Sequence, residues 1–334
     1  MKFLIIGLGS MGKRRVRNLQ KLGYDDIIGY DTRKDRREET EKKYRIRTIS
    51  DLSDGFAKKP DLMIISTPPD LHLKYANMAI KKNINFFTEV NLLSQHVVKM
   101  KKKVHDKSLI ALPSSTMRFH PMVMKLKKLI QSGTIGKVLV IHHHAGQLLS
   151  NWHPWEDYRE FFVSKRKTGG SREIIPVELV WLTYLFSDVK SIIAKADKVS
   201  MLDADIDDVF HMILEFKNKI LCSMAIDVIS IPSFRETKII GEKGTIKCNF
   251  NDGLLMINKG TQWKEIKLKM GQAAKGYKRS TPPDTLYENE IENVLAIVKG
   301  QKKSRYGFDD ELKILRILDA AELSSKKGKK IILG

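Results

Sequence analysis

With 334 residues, 42% of them hydrophobic, the chain can bury two sizeable cores and does not read as a disordered protein. No apolar run approaches the ~18 residues that cross a bilayer, and the opening Phe3-Leu4-Ile5-Ile6 is soon broken by glycines and then by Lys13-Arg14-Arg15, so no cleavable leader is read and a cytoplasmic protein is expected. The formal charge of +21 is spread thinly over nearly every polar segment, without a recognition helix, zinc finger or aromatic-basic sheet, which favours an anionic small molecule over nucleic acid or membrane as partner.

The first stretch is the most informative. Phe3 to Ile6 reads as a buried strand, Gly7-Leu8-Gly9-Ser10-Met11-Gly12 as a turn, Lys13 to Leu22 as a helix, and Ile27 to Tyr30 as a second strand ending at Asp31. The three glycines differ in what they do physically. Gly7 permits the tight turn, Gly9 lets backbone approach a pyrophosphate, and Gly12 lets helix and strand pack closely. The free N–H groups of the helix start would face the phosphates. Asp31 stands where a carboxylate is expected to accept hydrogen bonds from the adenosine ribose.

The same rhythm continues through a charged helix (Asp35 to Tyr44), a strand (Leu62 to Ile65), the loop Ser66 to His72, a helix (Leu73 to Lys82), a strand (Asn85 to Thr88), a helix (Gln95 to Asp106) and a strand (Leu109 to Leu112). Strands alternating with helices predict an α/β Rossmann fold, a doubly wound parallel sheet, over residues 1–120. After a helix from Met122 to Ser132 the sequence becomes strand-rich: Lys137 to His143, Ser191 to Ala196, Val209 to Phe216, Lys219 to Val228, Glu236 to Ile240, Thr245 to Asn249, Leu254 to Asn258 and Trp263 to Leu268. With closing helices at Leu286 to Lys299 and Asp309 to Lys326, residues 121–334 read as an α+β domain with a large open, mostly antiparallel sheet. Met270 to Pro283, rich in Gly, Lys and Pro, reads as a surface loop. Cys222 and Cys248 are too few for a disulfide framework and read as reduced core thiols. His142-His143-His144 would send its middle ring to the opposite face of a strand, and no acid or cysteine completes a ligand set, so no metal is expected.

In order and spacing these motifs resemble the Gfo/Idh/MocA family of sugar oxidoreductases: the glycine turn, then Ser66-Thr67-Pro68-Pro69-Asp70-Leu71-His72, Glu89 ahead of Leu92, Arg118-Phe119-His120-Pro121, and Gly133-Thr134-Ile135-Gly136-Lys137-Val138. Trp152-His153-Pro154-Trp155-Glu156-Asp157-Tyr158-Arg159 looks like a subgroup associated with surface-polysaccharide and nonulosonic acid biosynthesis. The resemblance implies NAD or NADP as cofactor, a sugar or nucleotide-sugar substrate, and a homodimer or homotetramer. By it, Gly7, Gly9, Ser10, Met11 and Gly12 would lie on the pyrophosphate, and Asp31, Thr32 and Arg33 at the adenosine ribose. Thr67, Pro68 and His72 would meet the middle of the cofactor and Glu89 the region near the nicotinamide, with Ser66, Asn91 and Arg118 as further cofactor-binding residues. Asp31 alone favours NAD, while Arg33 and Lys34 leave NADP open.

The departures matter as much. Members commonly carry Glu-Lys-Pro where this chain has Glu89-Val90-Asn91, and an Asp and a His where it has Ile175 and Leu179. Hydride transfer at a carbinol carbon needs a partner for the hydroxyl proton, worth roughly a hundredfold or more in rate. Candidate replacements are His153, with Lys165 and Tyr158 next; Trp152, Arg159, Lys167 and Arg172 are candidates for holding the sugar and a carboxylate or phosphate. Arg172, Glu173 and Glu178 could point into the site or pair with one another. His72 and His120 read as hydrogen-bonded or cofactor-proximal residues. The expected activity is therefore nicotinamide-dependent oxidoreduction of a sugar hydroxyl or keto carbon. The alternative is a dinucleotide-binding protein that has lost catalysis and serves as a sensor or assembly partner.

Overall fold

The computed structural model describes residues 1–105, 107–153, 156–271 and 283–334. Pro154, Trp155 and most of the stretch expected as a surface loop lie outside the described residues. The chain divides into two compact units, 1–116 with 284–312, and 117–283 with 313–334.

In the first unit the elements run β1 (Phe3–Ile6), α1 (Ser10–Lys21), β2 (Ile27–Tyr30), α2 (Lys34–Tyr44), β3 (Arg47–Ile49), α3 (Leu52–Ala57), β4 (Leu62–Ile65), α4 (His72–Lys82), β5 (Asn85–Thr88), α5 (Ser94–His105) and β6 (Ala111–Pro113). The six strands pair in the order β3-β2-β1-β4-β5-β6, all parallel. Phe3, Leu4, Ile5 and Ile6 are at most 1% exposed, the signature of a central strand covered on both faces. The strand order reverses between β1 and β4, and the loops carrying Gly7 and Ser66 leave their carboxyl ends side by side, where such sheets bind ligands. The sequence reading omits β3 and α3. Both are too short to show a period, and α3 is announced only by Asp51, whose carboxylate accepts from the Ser53 amide at 2.9 Å.

The second unit contributes α6 (Pro121–Gln131), β7 (Val138–Gly146), α7 (Ser171–Phe186), β8 (Val189–Asp197), β9 (Val209–Phe216), β10 (Leu221–Asp227), β11 (Phe234–Gly241), β12 (Gly244–Asn249), β13 (Leu254–Asn258) and β14 (Trp263–Lys267). The chain ends with α8 (Asp284–Val298), α9 (Phe308–Lys327) and β15 (Ile331–Ile332). The nine strands pair as β14-β13-β12-β11-β7-β10-β9-β8-β15, antiparallel except for β7 with β10. Alternation divides the faces of this sheet. Phe210, Met212, Leu214 and Phe216 of β9 are buried on the face that packs α7, whereas Ile193, Ile213 and Leu221 lie about half exposed on the open face. β15 is short, and beyond it the β8 amides of Ala194 and Ala196 donate to Ser324 and Ser325 of α9, which closes that edge.

The linear boundary at residue 120 needs one correction: residues 284–312 return to the first unit. The cause is the apolar face of α8, whose Ile291, Val294, Leu295 and Ile297 pack with Phe3, Ile5, Val16, Leu19 and Phe87 in one core. A boundary drawn from the order of elements misses such a return.

Candidate functional site

The glycine turn carries its own steric explanation. Gly7 has φ +89°, and a Cβ there would stand 2.7 Å from the Ser66 carbonyl oxygen. A Cβ on Gly12 would stand 1.8 Å from the Gly7 carbonyl oxygen. Gly9 is different: its nearest neighbour would be the tip of the Arg36 side chain, at 3.4 Å. Among the described residues a Cβ at residue 9 would meet only that flexible tip, so internal packing does not by itself account for glycine there. No side chain caps α1 and no acid stands in its first turn, which suits an anion at the helix start. Nearby, Thr67 Oγ1 is buried without a hydrogen-bond partner among the described residues. An open cradle, an uncapped helix and an orphaned hydroxyl fit a dinucleotide diphosphate. The sulfur of Met11 accepts from Arg14 at 3.1 Å, fixing the residue on the turn's flank.

At the end of β2, Asp31 is nearly buried; its Oδ2 accepts from the Leu8 amide at 2.7 Å and its Oδ1 from the Arg33 amide at 2.9 Å. The two basic residues that left a 2′-phosphate open are matched by acids. Arg33 forks onto Asp35 at 3.1 and 2.5 Å, and Lys34 lies 3.5 Å from Glu38. The Arg33 hydrogen bonds hold the Asp35 carboxyl down at about 2.

Glu89 and Asn91 sit in buried networks. Arg15, 0% exposed, donates to both oxygens of Glu89 at 2.7 and 2.8 Å and to Glu290 at 2.7 Å; Ser66 Oγ adds a bond to Glu89 at 3.1 Å. Asn91 donates through Nδ2 to Thr88 and Glu311, and its Oδ1 faces His72 Nδ1 at 2.9 Å. His72 Nε2 faces the Thr67 carbonyl at 2.9 Å. Both ring nitrogens face oxygens, and burial lowers the pKa of the ring against the raising effect of the bonds to Asn91 and Thr67. Burial also pushes Glu311 up to about 7, against the opposing hydrogen bonds from Tyr306 and Asn91. Thus Gly7, Gly9, Ser10, Met11, Gly12, Asp31, Thr32, Arg33, Ser66, Thr67, Pro68, His72, Glu89 and Asn91 belong to one unit, while Arg118 belongs to the other, its guanidinium 4.0 Å over the Tyr184 ring. Val90, standing where the family lysine is usual, carries no titratable group.

In the second unit several described residues of the stretch 151–167 pack into a small apolar cluster. Trp152, Tyr158, Phe161 and Phe162 lie against Leu149, Val163, Ile206 and Val228. The Tyr158 hydroxyl accepts from the Asp203 amide at 3.2 Å, and His153 stacks on Phe161 at 5.2 Å with Glu156 3.4 Å away. Arg159 is matched by Asp157 and lies 3.7 Å from Asp203. Arg172 pairs with Glu322 and donates to the Lys167 carbonyl at 2.9 Å. Lys165 and Lys167 are exposed, and neither ammonium makes an ion pair among the described residues.

Within α7, Glu178 is fully buried: it accepts from Arg235 and Trp181 at 2.8 Å each and lies 3.1 Å from His143 Nε2. Burial alone would raise its pKa, but Arg235 and His143 outweigh it and hold the carboxyl at about 2. His120 caps α6, its Nδ1 accepting from the Met122 amide at 3.1 Å; burial, with Arg235 nearby, drops it to about 3. His143 is buried against Thr237, while His142 and His144 face the other way, toward Ser223 and Asp227. Ile175 and Leu179 are 0% exposed core residues. Arg15, Glu290, Glu311 and Arg235 stand in no motif of the sequence, although their side chains form these buried networks. The one available signal was an acid at Glu290 on the apolar face of α8, between Leu286 and Val294.

A doubly wound parallel sheet in one unit and a large open sheet in the other define a two-domain protein with a Rossmann-type first unit. Two sequence profiles match the chain: the oxidoreductase family's NAD-binding Rossmann fold over residues 1–110, and the GFO/IDH/MocA C-terminal domain over residues 123–247. The chain belongs to the Gfo/Idh/MocA family. Among solved structures, an oxidoreductase from Agrobacterium radiobacter in complex with NAD+, L-tartaric acid and magnesium superposes with a TM-score of 0.84 at 15% identity, covering 99% of this chain and 98% of the other. Levoglucosan dehydrogenase with NADH and levoglucosan gives 0.83 at 17%, covering 99% of each chain. The WlbA dehydrogenase of Bordetella pertussis with NADH and UDP-GlcNAcA gives 0.81 at 19%, covering 100% and 99%. No curated protein sequence matches the chain. Among the described residues no helix is long and apolar enough to cross a membrane.

Proposed function

We propose that the protein is an NAD(H)-dependent oxidoreductase that interconverts a hydroxyl and a keto carbon on an anionic sugar or nucleotide sugar. The observation that carries this reading is the uncapped start of α1 behind Gly9, next to the orphaned Thr67 hydroxyl. Bound there, a nicotinamide dinucleotide supplies the hydride acceptor or donor. Gly7, Gly9 and Gly12 give its phosphates room, and Asp31 repels a 2′-phosphate while Arg33 and Lys34 are turned to Asp35 and Glu38. Lys165 and Lys167 supply unmatched positive charge for the anionic substrate, whereas Arg159 and Arg172 are already neutralised. The likeness to a dehydrogenase solved with UDP-GlcNAcA supports an acidic sugar, of the kind built into surface glycans. The half-exposed Ile193, Ile213 and Leu221 on the open sheet face support a homodimer or homotetramer.

Titration calorimetry is expected to show NADH binding at least about tenfold tighter than NADPH, a difference of ~1.4 kcal/mol. A screen of nucleotide-linked uronic acids and free sugars, followed by nicotinamide absorbance, tests turnover. Replacing Lys165 and Lys167 together by alanine is expected to raise KM for the acidic substrate by about tenfold while kcat holds, and added salt is expected to narrow the gap. A second reading, a dinucleotide-binding protein without turnover, is favoured by Val90, Ile175 and Leu179 standing at the usual proton-handling positions. NADH binding with no turnover on any of these sugars would decide for it.

A further inference from the structure

Three buried side chains of the first unit, His72, Asn91 and Glu311, form a line of hydrogen bonds that begins at the Thr67 carbonyl. His72 Nε2 lies 2.9 Å from that carbonyl and Nδ1 2.9 Å from Asn91 Oδ1. Asn91 Nδ2 and the Asn91 backbone amide each reach Glu311 Oε1 at 3.2 Å, and the Tyr306 hydroxyl donates to Glu311 Oε2 at 2.5 Å.

The protons of this line fall one short. A neutral imidazole carries a single N–H. With Asn91 Oδ1 toward the ring, both ring nitrogens face acceptors, and a neutral ring serves only one of them. A charged ring would serve both, but burial works against that charge. The carboxyl offers the other solution. An amide turned end for end keeps its shape. A protonated Glu311 then donates to the amide oxygen, the amide nitrogen donates to Nδ1, and the one ring N–H donates from Nε2 to Thr67. Thr88 Oγ1, which also meets the amide, serves as donor or acceptor alike. One proton, on His72 or on Glu311, completes every bond. Glu311 is the better holder, because burial pushes it up to about 7, with Glu290 adding to the rise and the bonds from Tyr306 and Asn91 opposing it. Glu290 and Glu89 are both paired with Arg15, and with Asp70 they are the charged groups around the line.

We propose that His72 and Glu311 share a single proton through the Asn91 amide, and that Glu311 is thereby a positioning residue that fixes the Thr67 carbonyl while the proton is held. When the proton leaves for solvent, Asn91 turns its N–H to the carboxylate and the ring N–H goes to Asn91 Oδ1. The Nε2 lone pair is then left against the Thr67 carbonyl, two acceptors at 2.9 Å, and the loop is pushed away. The effect on a ligand rests on the dinucleotide reading above, since the orphaned Thr67 hydroxyl is assigned there to the cofactor. The shared proton itself stands on the hydrogen bonds alone.

The test uses the full-length protein with 15N-labelled histidine, the His72 ring signals being identified by their loss in His72→Gln. Wild type is expected to show the Nε2–H tautomer at pH 6 and the Nδ1–H tautomer at pH 8.5. Glu311→Gln copies the protonated acid, so its ring should stay Nε2–H throughout. By calorimetry, wild-type affinity for NADH should fall about fivefold or more over the same range, and that of Glu311→Gln less than about twofold. Folded Glu311 keeps its proton up to about 7 and the unfolded chain releases it near 4.5, so wild-type stability is full below that lower value and falls as pH rises through 7. The melting temperature of Glu311→Gln should therefore gain on wild type across this window. A wild-type ring whose tautomer ignores pH overturns the proposal without any variant or ligand. So does a ring that switches while NADH affinity holds constant, because the proton then does not position Thr67. If the ring switches and NADH binds neither protein at any pH, the dinucleotide reading falls and the shared proton stands.

Discussion

Gly12→Val is expected to abolish dinucleotide binding and to yield little folded protein. Any Cβ at residue 12 must displace the Gly7 carbonyl oxygen from 1.8 Å, and that oxygen cannot retreat. Gly7 is held by the 2.8 Å bond from its amide to the Tyr30 carbonyl and by the Ser66 carbonyl behind it. The alternative is to lift α1 off β1, which would drag Arg15 from between its two acids and open the core around Val16 and Leu19. Core overpacking that moves only side chains costs about 1–3 kcal/mol, and a backbone overlap has no such escape. Gly9→Ala is the control. Its Cβ meets only the flexible end of Arg36, so melting should stay within roughly 0.5 kcal/mol of wild type. NADH affinity should nevertheless fall by about tenfold or more, read by calorimetry, because the lost space belongs to the ligand. Were Gly9→Ala to bind NADH normally, the assignment of that volume to a diphosphate would be wrong.

The parallel sheet was legible because its strands are buried on both faces, and Phe3 to Ile6 or Leu62 to Ile65 can then be little else than central strands. The second sheet was legible for a different reason: strand follows strand with turns such as Asn251-Asp252-Gly253 between them. What sequence could not yield was the return of α8. Its apolar positions announce a buried face without naming the surface that buries it, and only the packing of Ile291 and Leu295 against Phe3 and Val16 decides that.

The candidate site was legible where function lies in the backbone and poorly legible where it lies in pairing. Glycines at residues 7, 9 and 12 state their own geometry. Charged residues do not, since an arginine in an aromatic, polar segment looks the same whether it awaits a ligand or is already matched. Arg159 and Arg172 proved to be matched by Asp157 and Glu322, acids at very different sequence separations. Glu173 shows the converse. Beside Arg172 it suggested a local pair, yet Arg172 turns away to α9 and leaves the carboxyl unbonded.

Arg15→Met is expected to be the most destabilising change that leaves the glycine turn's own sequence intact. The guanidinium is 0% exposed, bridges Glu89 and Glu290, donates weakly to the Tyr287 carbonyl at 3.4 Å, and lies 4.9 Å over the Phe87 ring. Burial alone would lower its pKa, but the charges of Glu89 and Glu290 and the hydrogen bonds to them outweigh that and leave it raised. Methionine fills much of the volume and removes the charge. Two largely buried carboxylates are then left without their shared cation, a loss of about 3–5 kcal/mol by analogy with other broken buried ion pairs. Glu290 also holds Ser114, the Ser115 amide and Thr116, so its displacement would loosen the loop after β6. The sign with pH separates this from a packing defect. Protonating either acid removes the uncompensated charge, so the deficit in melting temperature should shrink as the buffer is taken from pH 8 toward about pH 5. A packing defect would give a deficit that ignores pH. Arg15→Met combined with Glu290→Gln should recover part of the loss at neutral pH, because one acid fewer remains to be desolvated unpaired. If the double variant melts no higher than Arg15→Met, the two acids are not coupled through Arg15 and the network has been misread.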